Sequence, residues 1–187
     1  AGLLANTMQG NMSGDDGSME TETVAATLHN IHIESPKVVG DGYKGLFGGL
    51  VGEASLFVGI TQSSVTEADI NLPMAEGIGG LAGKLATASS VKVCLFTGTI
   101  NGGDAVGGMV AEAGSGEAIQ HCHVDATLHG TNTIGGVIAY SQRAPIANCY
   151  VEGNLVLSDK ALVGKVGGVI GNLELDEMGN GPIVLAN

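Results

Sequence analysis

The sequence has no tryptophan, and only three phenylalanines and three tyrosines among 187 residues. Its core therefore has little aromatic volume to draw on and must be filled by Val, Ile, Leu and Ala. Basic residues are also scarce: seven Lys and Arg stand against 19 Asp and Glu, a net charge of −12. With so little to neutralise phosphates, nucleic acid and anionic membranes are not expected as partners. No apolar run in the chain reaches the roughly 20 residues of a bilayer-spanning helix, so membrane insertion is not expected either. Three cysteines leave one thiol over in any disulfide scheme, and they do not decide a compartment. The opening Ala1 begins no signal-peptide pattern, which suits a mature form or a piece of a longer chain.

Glycine is what the chain has in excess, 32 residues with no Gly-X-Y period, so collagen is excluded. The hydrophobic fraction of 44% is too high for a disordered chain, and the length suits one domain with a sizeable core. The glycines recur in a pattern: "FGGLVG" (47–52), "IGGLAG" (78–83), "VGGMVA" (106–111), "IGGVIA" (134–139) and "VGGVIG" (166–171). Their first glycines are 31, 28, 28 and 32 residues apart, and "AGLLAN" at the start reads as a sixth, damaged copy.

A second pattern lies between the first. "VKVCLFTGTI" (91–100), "IQHCHVDATL" (119–128) and "IANCYVEGNL" (146–155) align without gaps and put Cys94, Cys122 and Cys149 at one position. "LHNIHIESPK" (28–37) and "VTEADINLPM" (65–74) align as weaker copies, the latter through Val65, Ala68 and Ile70. Alternating residues such as Cys94, Phe96 and Ile100 point inward, and the mostly polar residues between them outward, as in a half-buried strand.

A unit of about 28 residues with two or three short strands cannot bury its inner face alone, whereas stacked copies can. The expected fold is all-β, a parallel β-helix (β-solenoid) of about five to six turns of about 28–32 residues, with a right-handed coil preferred. A β-propeller is the alternative, but its blades need about 40 residues. One repeat domain should span 1–187: a loop-rich start at 1–24, regular coils at 25–175 and a terminal strand or truncated coil at 176–187. Leu50, Leu81, Met109, Val137 and Val169 should form an internal row. Insertions gather at 14–23 and 158–165, the loops freest to carry function.

These repeats resemble the GLUG motif, named for Gly-Leu-any-Gly. "GLVG" (49–52) and "GLAG" (80–83) match directly, and "GMVA", "GVIA" and "GVIG" are relaxed forms, so the resemblance covers roughly residues 25–175. Such repeats occur in bacterial surface proteins and in non-catalytic regions of IgA-cleaving metallopeptidases. The resemblance implies an extracellular, cell-surface β-helical segment, often adhesin-like, and transfers no catalytic residue. The peptidase's His-Glu-any-any-His zinc signature is absent from this sequence.

Several residues invite a chemical reading. Cys122 is expected inward with His121 and His123 outward, so the three cannot converge on one ion. Cys94, Cys122 and Cys149, about 4.8 Å apart rung to rung, make a line rather than a tetrahedral cage at about 2.3 Å, and read as a ladder of buried thiols whose redox state stays open. His121 and His123 would share the outer face with Asp125, and read as solvated side chains rather than metal ligands. "GDGYKG" (40–45) and "GIGGLA" (77–82) match nucleotide-loop patterns, but glycine-rich strand follows where a helix is required, so both read as corners. Asp15, Asp16, Asp41 and Asp104 sit beside glycines without an EF-hand or nonapeptide calcium pattern, and read as turn residues. Asp125 and Glu152 should oppose each other on adjacent rungs, where a hydrolase would need its acid and base, but with no basic or aromatic sugar platform nearby they read as a solvated acidic face.

No catalytic, cofactor-binding or metal-binding residue is assigned from these patterns, and no cofactor. The expected function is that of a non-enzymatic bacterial surface scaffold, secreted and adhesin-like, presenting loops or a flat face to a host-surface protein or glycan. Open solenoid ends would permit end-to-end self-association. The alternatives are a carbohydrate-active β-helix enzyme, hydrolase or lyase, and a calcium-stiffened spacer.

Overall fold

Short runs of β-branched residues, each too brief to stand alone, close parallel ladders with their counterparts one coil away. The computed structural model describes residues 1–13, 22–158, 164–174 and 185–186, and among these no helix occurs. The chain winds as a parallel β-solenoid of about five turns. Each full coil has four strands, against the two or three expected, because both the diglycine segment and the Cys segment are split by a corner.

In chain order, the first strand of a coil belongs to a corner sheet of Ala26–His29, Val58–Thr61, Ser90–Lys92, Ala118–Gln120, Ile146–Ala147 and Leu185–Ala186. The second belongs to a long sheet through Ser64–Asn71, Leu95–Asn101, His123–Gly130 and Tyr150–Leu157, with His32–Glu34 and Lys37–Val39 on its first rung. The third lies in a diglycine sheet of Leu46–Gly48, Gly77–Gly79, Ala105–Gly107, Thr133–Gly135 and Lys165–Gly167. The fourth lies in a charged sheet of Ala5–Gln9, Val51–Ser55, Ala82–Ala86, Val110–Ala113, Ile138–Ser141 and Ile170–Leu173.

The register is that of the glycine pattern. Gly48, Gly79, Gly107, Gly135 and Gly167 pair in turn, and Gly2 bridges to Gly48, so "AGLLAN" does supply the further copy. Residues 5–9 thus already belong to the stack. Asn11–Ser13 and Glu22–Val24 pair antiparallel; most of the 14–23 insertion, and of 158–165, lies outside the described residues.

Like side chains meet like inside. Ile60, Val91, Ile119 and Ile146 form one buried row, Val65, Phe96 and Val124 a second, and Ile70, Ile100 and Leu128 a third. Leu50, Leu81, Met109 and Val137 are fully buried at the diglycine corner; Val169 in the last described coil is 38% exposed, because no described coil covers it. The diglycine itself has a steric cause. A Cβ on Gly107 would lie 1.9 Å from the Val110 carbonyl oxygen of its own corner. One on Gly108 would lie 2.1 Å from the Gly136 carbonyl oxygen and 2.6 Å from Cγ1 of Val124. The corner presses onto the long-sheet row, and only hydrogen fits between.

The weak copy at 65–74 lies out of register with 91–100. Val65 pairs with Phe96, Ala68 with Gly98 and Ile70 with Ile100, so the true counterpart of 91–100 starts at Ile60, not Val65. The slip is hidden by an extra residue, a bulge between Val65 and Ala68 with Glu67 at φ 53°.

Candidate functional site

The Cys-bearing segments are not continuous strands. Asn30, Gln62, Val93, His121 and Asn148 all have φ between 49° and 57°, which makes one stacked left-handed corner before the long sheet. The residue after the corner turns inward and caps it. Ser63 donates its hydroxyl to the Thr61 carbonyl at 2.8 Å. Cys94 does the same with its thiol to Lys92 at 3.2 Å, Cys122 to Gln120 at 3.2 Å and Cys149 to Ala147 at 3.4 Å. The thiol row is therefore a run of corner caps. All three cysteines are free, Cys94 and Cys122 buried and Cys149 half-buried.

The three thiols also act on one another along the row, with Cys122 in the middle. Its neighbours Cys149 and Cys94, with burial, push the Cys122 thiol well up. Cys122 in turn holds the Cys149 thiol down at about 7 and lowers that of Cys94. Only the half-buried end of the row has both exposure and thiolate character.

The corner also separates the two histidines. His121, at the corner, lies 3.1 Å through Nε2 from Nδ2 of Asn148. His123 opens the long-sheet strand, and its ring is tilted against Tyr150 with centroids 5.2 Å apart. Each histidine is thus engaged with the next coil, while Cys122 between them is buried. Among the described residues no three His, Cys, Asp or Glu side chains come together as a metal would require. Asp125 and Glu152 do occupy paired rungs, both exposed, and Glu152 close to Tyr150 raises the phenol's pKa. Neither nucleotide-like segment precedes a helix: 40–45 is a corner leading into Leu46–Gly48, and 77–82 is the strand Gly77–Gly79 with the corner that leads into Ala82–Ala86. Asp15 and Asp16 lie outside the described residues; Asp41 and Asp104 are exposed turn residues.

A groove of about 650 Å³ lies where the charged sheet meets the loop 114–117. Its wall is a row running across coils, Lys84, Glu112 and Tyr140 in paired register, and Gln142 and Glu174 also line it. Burial raises the Glu112 carboxyl; Lys84 beside it lowers it, and Glu76 and Glu53 raise it further. At the loop end stands Glu117, only 1% exposed, with Oε2 lacking any hydrogen-bond partner. A Cβ on Gly114 would lie 2.9 Å from that oxygen, so the glycine leaves the carboxylate its space.

Glu117 was missed from sequence, although a signal was there. By register it shares a row with Ser89 and Ala144, both buried. Ser89 satisfies itself: its Oγ accepts from the Val58 N–H at 3.2 Å and donates to the Ala86 carbonyl at 2.7 Å. A carboxylate in a row of small side chains is a local conflict, and such conflicts mark places where something other than folding is served.

Compared with known proteins, the chain matches no family model, and no curated protein matches it.

Proposed function

We propose that this chain is a non-enzymatic segment of a bacterial surface protein, a rigid scaffold that acts as an adhesin-like interaction module outside the cell. The observation that carries the reading is the constant register of the diglycine corners, which extends each lateral face as one ladder across the coils. Such a stack offers a partner a stiff, repetitive surface at fixed spacing. The resemblance to GLUG repeats of surface proteins points the same way, as does the acidic, well-solvated exterior. A host-surface protein or glycan is the partner class.

The test is antibody labelling of intact cells of the native producer, followed by binding of the purified chain to host cells. Labelling of unbroken cells with saturable host binding is the expected result. Labelling only after permeabilisation, or no saturable binding, overturns the proposal. A second reading has one observation in its favour, the paired rungs of Asp125 and Glu152. Cleavage of a polysaccharide by the chain, lost in Glu152→Gln, would replace the scaffold reading with that of a hydrolase or lyase.

A further inference from the structure

The groove beside Glu117 carries more charge of one sign than its surroundings explain. Three carboxylates, Glu112, Glu117 and Glu174, and one ammonium, that of Lys84, line it. Lys84 stands in register with Glu112 and lowers its carboxyl, and Glu174 accepts a hydrogen bond from Asn172 at 3.0 Å. Glu117 has no such partner, and a buried carboxylate oxygen left unpaired is costly. The missing partner must be a donor, and a cation supplies the strongest one.

A divalent metal is not favoured, since among the described residues no three acidic, His or Cys side chains gather. An ammonium brings its own donors and needs only acceptors. The buried, unpaired acceptor is a single oxygen, Oε2, which suits the point-like ammonium better than the two-pronged guanidinium. Tyr140 and Ala86 line the same groove with the surface that an alkyl stem would cover. We infer that the groove is a lysine-binding site, in which Glu117 accepts the side-chain ammonium of a partner protein while Tyr140 and Ala86 pack its stem. This rests on the chain being an interaction module, and not on where it resides.

The test uses the full, nitrogen-15-labelled chain and three probes: Nα-acetyl-lysine methylamide, its norleucine counterpart, and its arginine counterpart. The lysine probe should give saturable shifts at the amides of Gly114 to Glu117 and at Gln142, while the norleucine probe gives none. Arginine should bind more weakly than lysine. Glu117→Gln, checked for unchanged dispersion elsewhere in the spectrum, should weaken lysine binding by about tenfold or more, as expected for loss of a charge-assisted hydrogen bond. Lys84→Met removes the competing cation and should tighten binding by roughly two- to fivefold at low salt. That gain is of a sign that mere loosening of the groove would not produce.

The inference is overturned if no saturable shift occurs, or if norleucine binds as well as lysine. It is equally overturned if well-folded Glu117→Gln keeps its affinity or Lys84→Met loses it, results that would leave ordered water as the carboxylate's partner. Should the chain bind host cells while the lysine probe fails, this inference falls and the surface reading stands. Lysine binding without host-cell binding gives the reverse.

Discussion

Val93 holds a φ of 55° at a corner where Asn30, Gln62, His121 and Asn148 stand in the other coils, and it is 55% exposed there. A β-branched residue pays for that backbone region where asparagine scarcely does. Val93→Asn should therefore stabilise the chain by about 1 kcal/mol and raise Tm by about 2–4 °C, read by thermal unfolding. A lower Tm would mean that the corner tolerates valine for a packing reason. The neighbouring thiols carry a second expectation. Cys149, held at about 7 by Cys122, should be alkylated by iodoacetamide with a rate that rises through half-maximum near pH 7. Cys94 and Cys122, buried, should react only after unfolding. Since the folded pKa is depressed, Cys149 adds stability above its unfolded value near 8.5, and that contribution fades as pH falls through about 7. Mass spectrometry of the alkylated peptides checks the order of reaction.

The element that organises each coil is the diglycine corner, and its constraint is steric contact with the next coil. Gly108→Ala would drive a methyl into the Gly136 carbonyl oxygen and Val124, and should cost about 3 kcal/mol or more. Gly42→Ala meets nothing within 4 Å and should be neutral or stabilise by up to about 1 kcal/mol. Denaturant midpoints of the two variants decide; equal losses would show that the corner is not tight. At this scale the repeats were legible because each strand faces a copy of itself. The corner inside 119–128 was not, because strand alternation resumes at Cys122 and hides a single left-handed residue at His121. The asparagines at 30 and 148, in the same place, were the available sign. The register slip at Val65 had a different origin: a one-residue bulge shifts the pattern without removing it.

As a whole, the molecule is a stack in which a coil touches only its neighbours, so stability should be graded along it rather than uniform. Native-state hydrogen exchange should find the slowest amides in the central coils, at Val91, Phe96 and Ile119, all buried on both sides by further coils. Ladder amides in Ile170–Leu173 should exchange faster, since Leu173 is 37% exposed and Val169 38%. Protection that is equal from Ala5–Gln9 to Ile170–Leu173 would instead mean that the stack opens only as one unit.

Periodicity and the alternation of apolar with polar residues were enough to specify a parallel stack of coils and most of its internal rows. Both are local properties of the chain, and in a solenoid the partner of each strand is a near copy of it, so pairing follows from spacing. The groove and the buried carboxylate of Glu117 belong to the folded molecule. They arise where Lys84, Glu112 and Tyr140, 28 residues apart in each step, are brought side by side and Gly114, Ser115 and Glu117 complete the lining. Burial of a charge depends on what lies above and beside it in space, and only the packed coils set that.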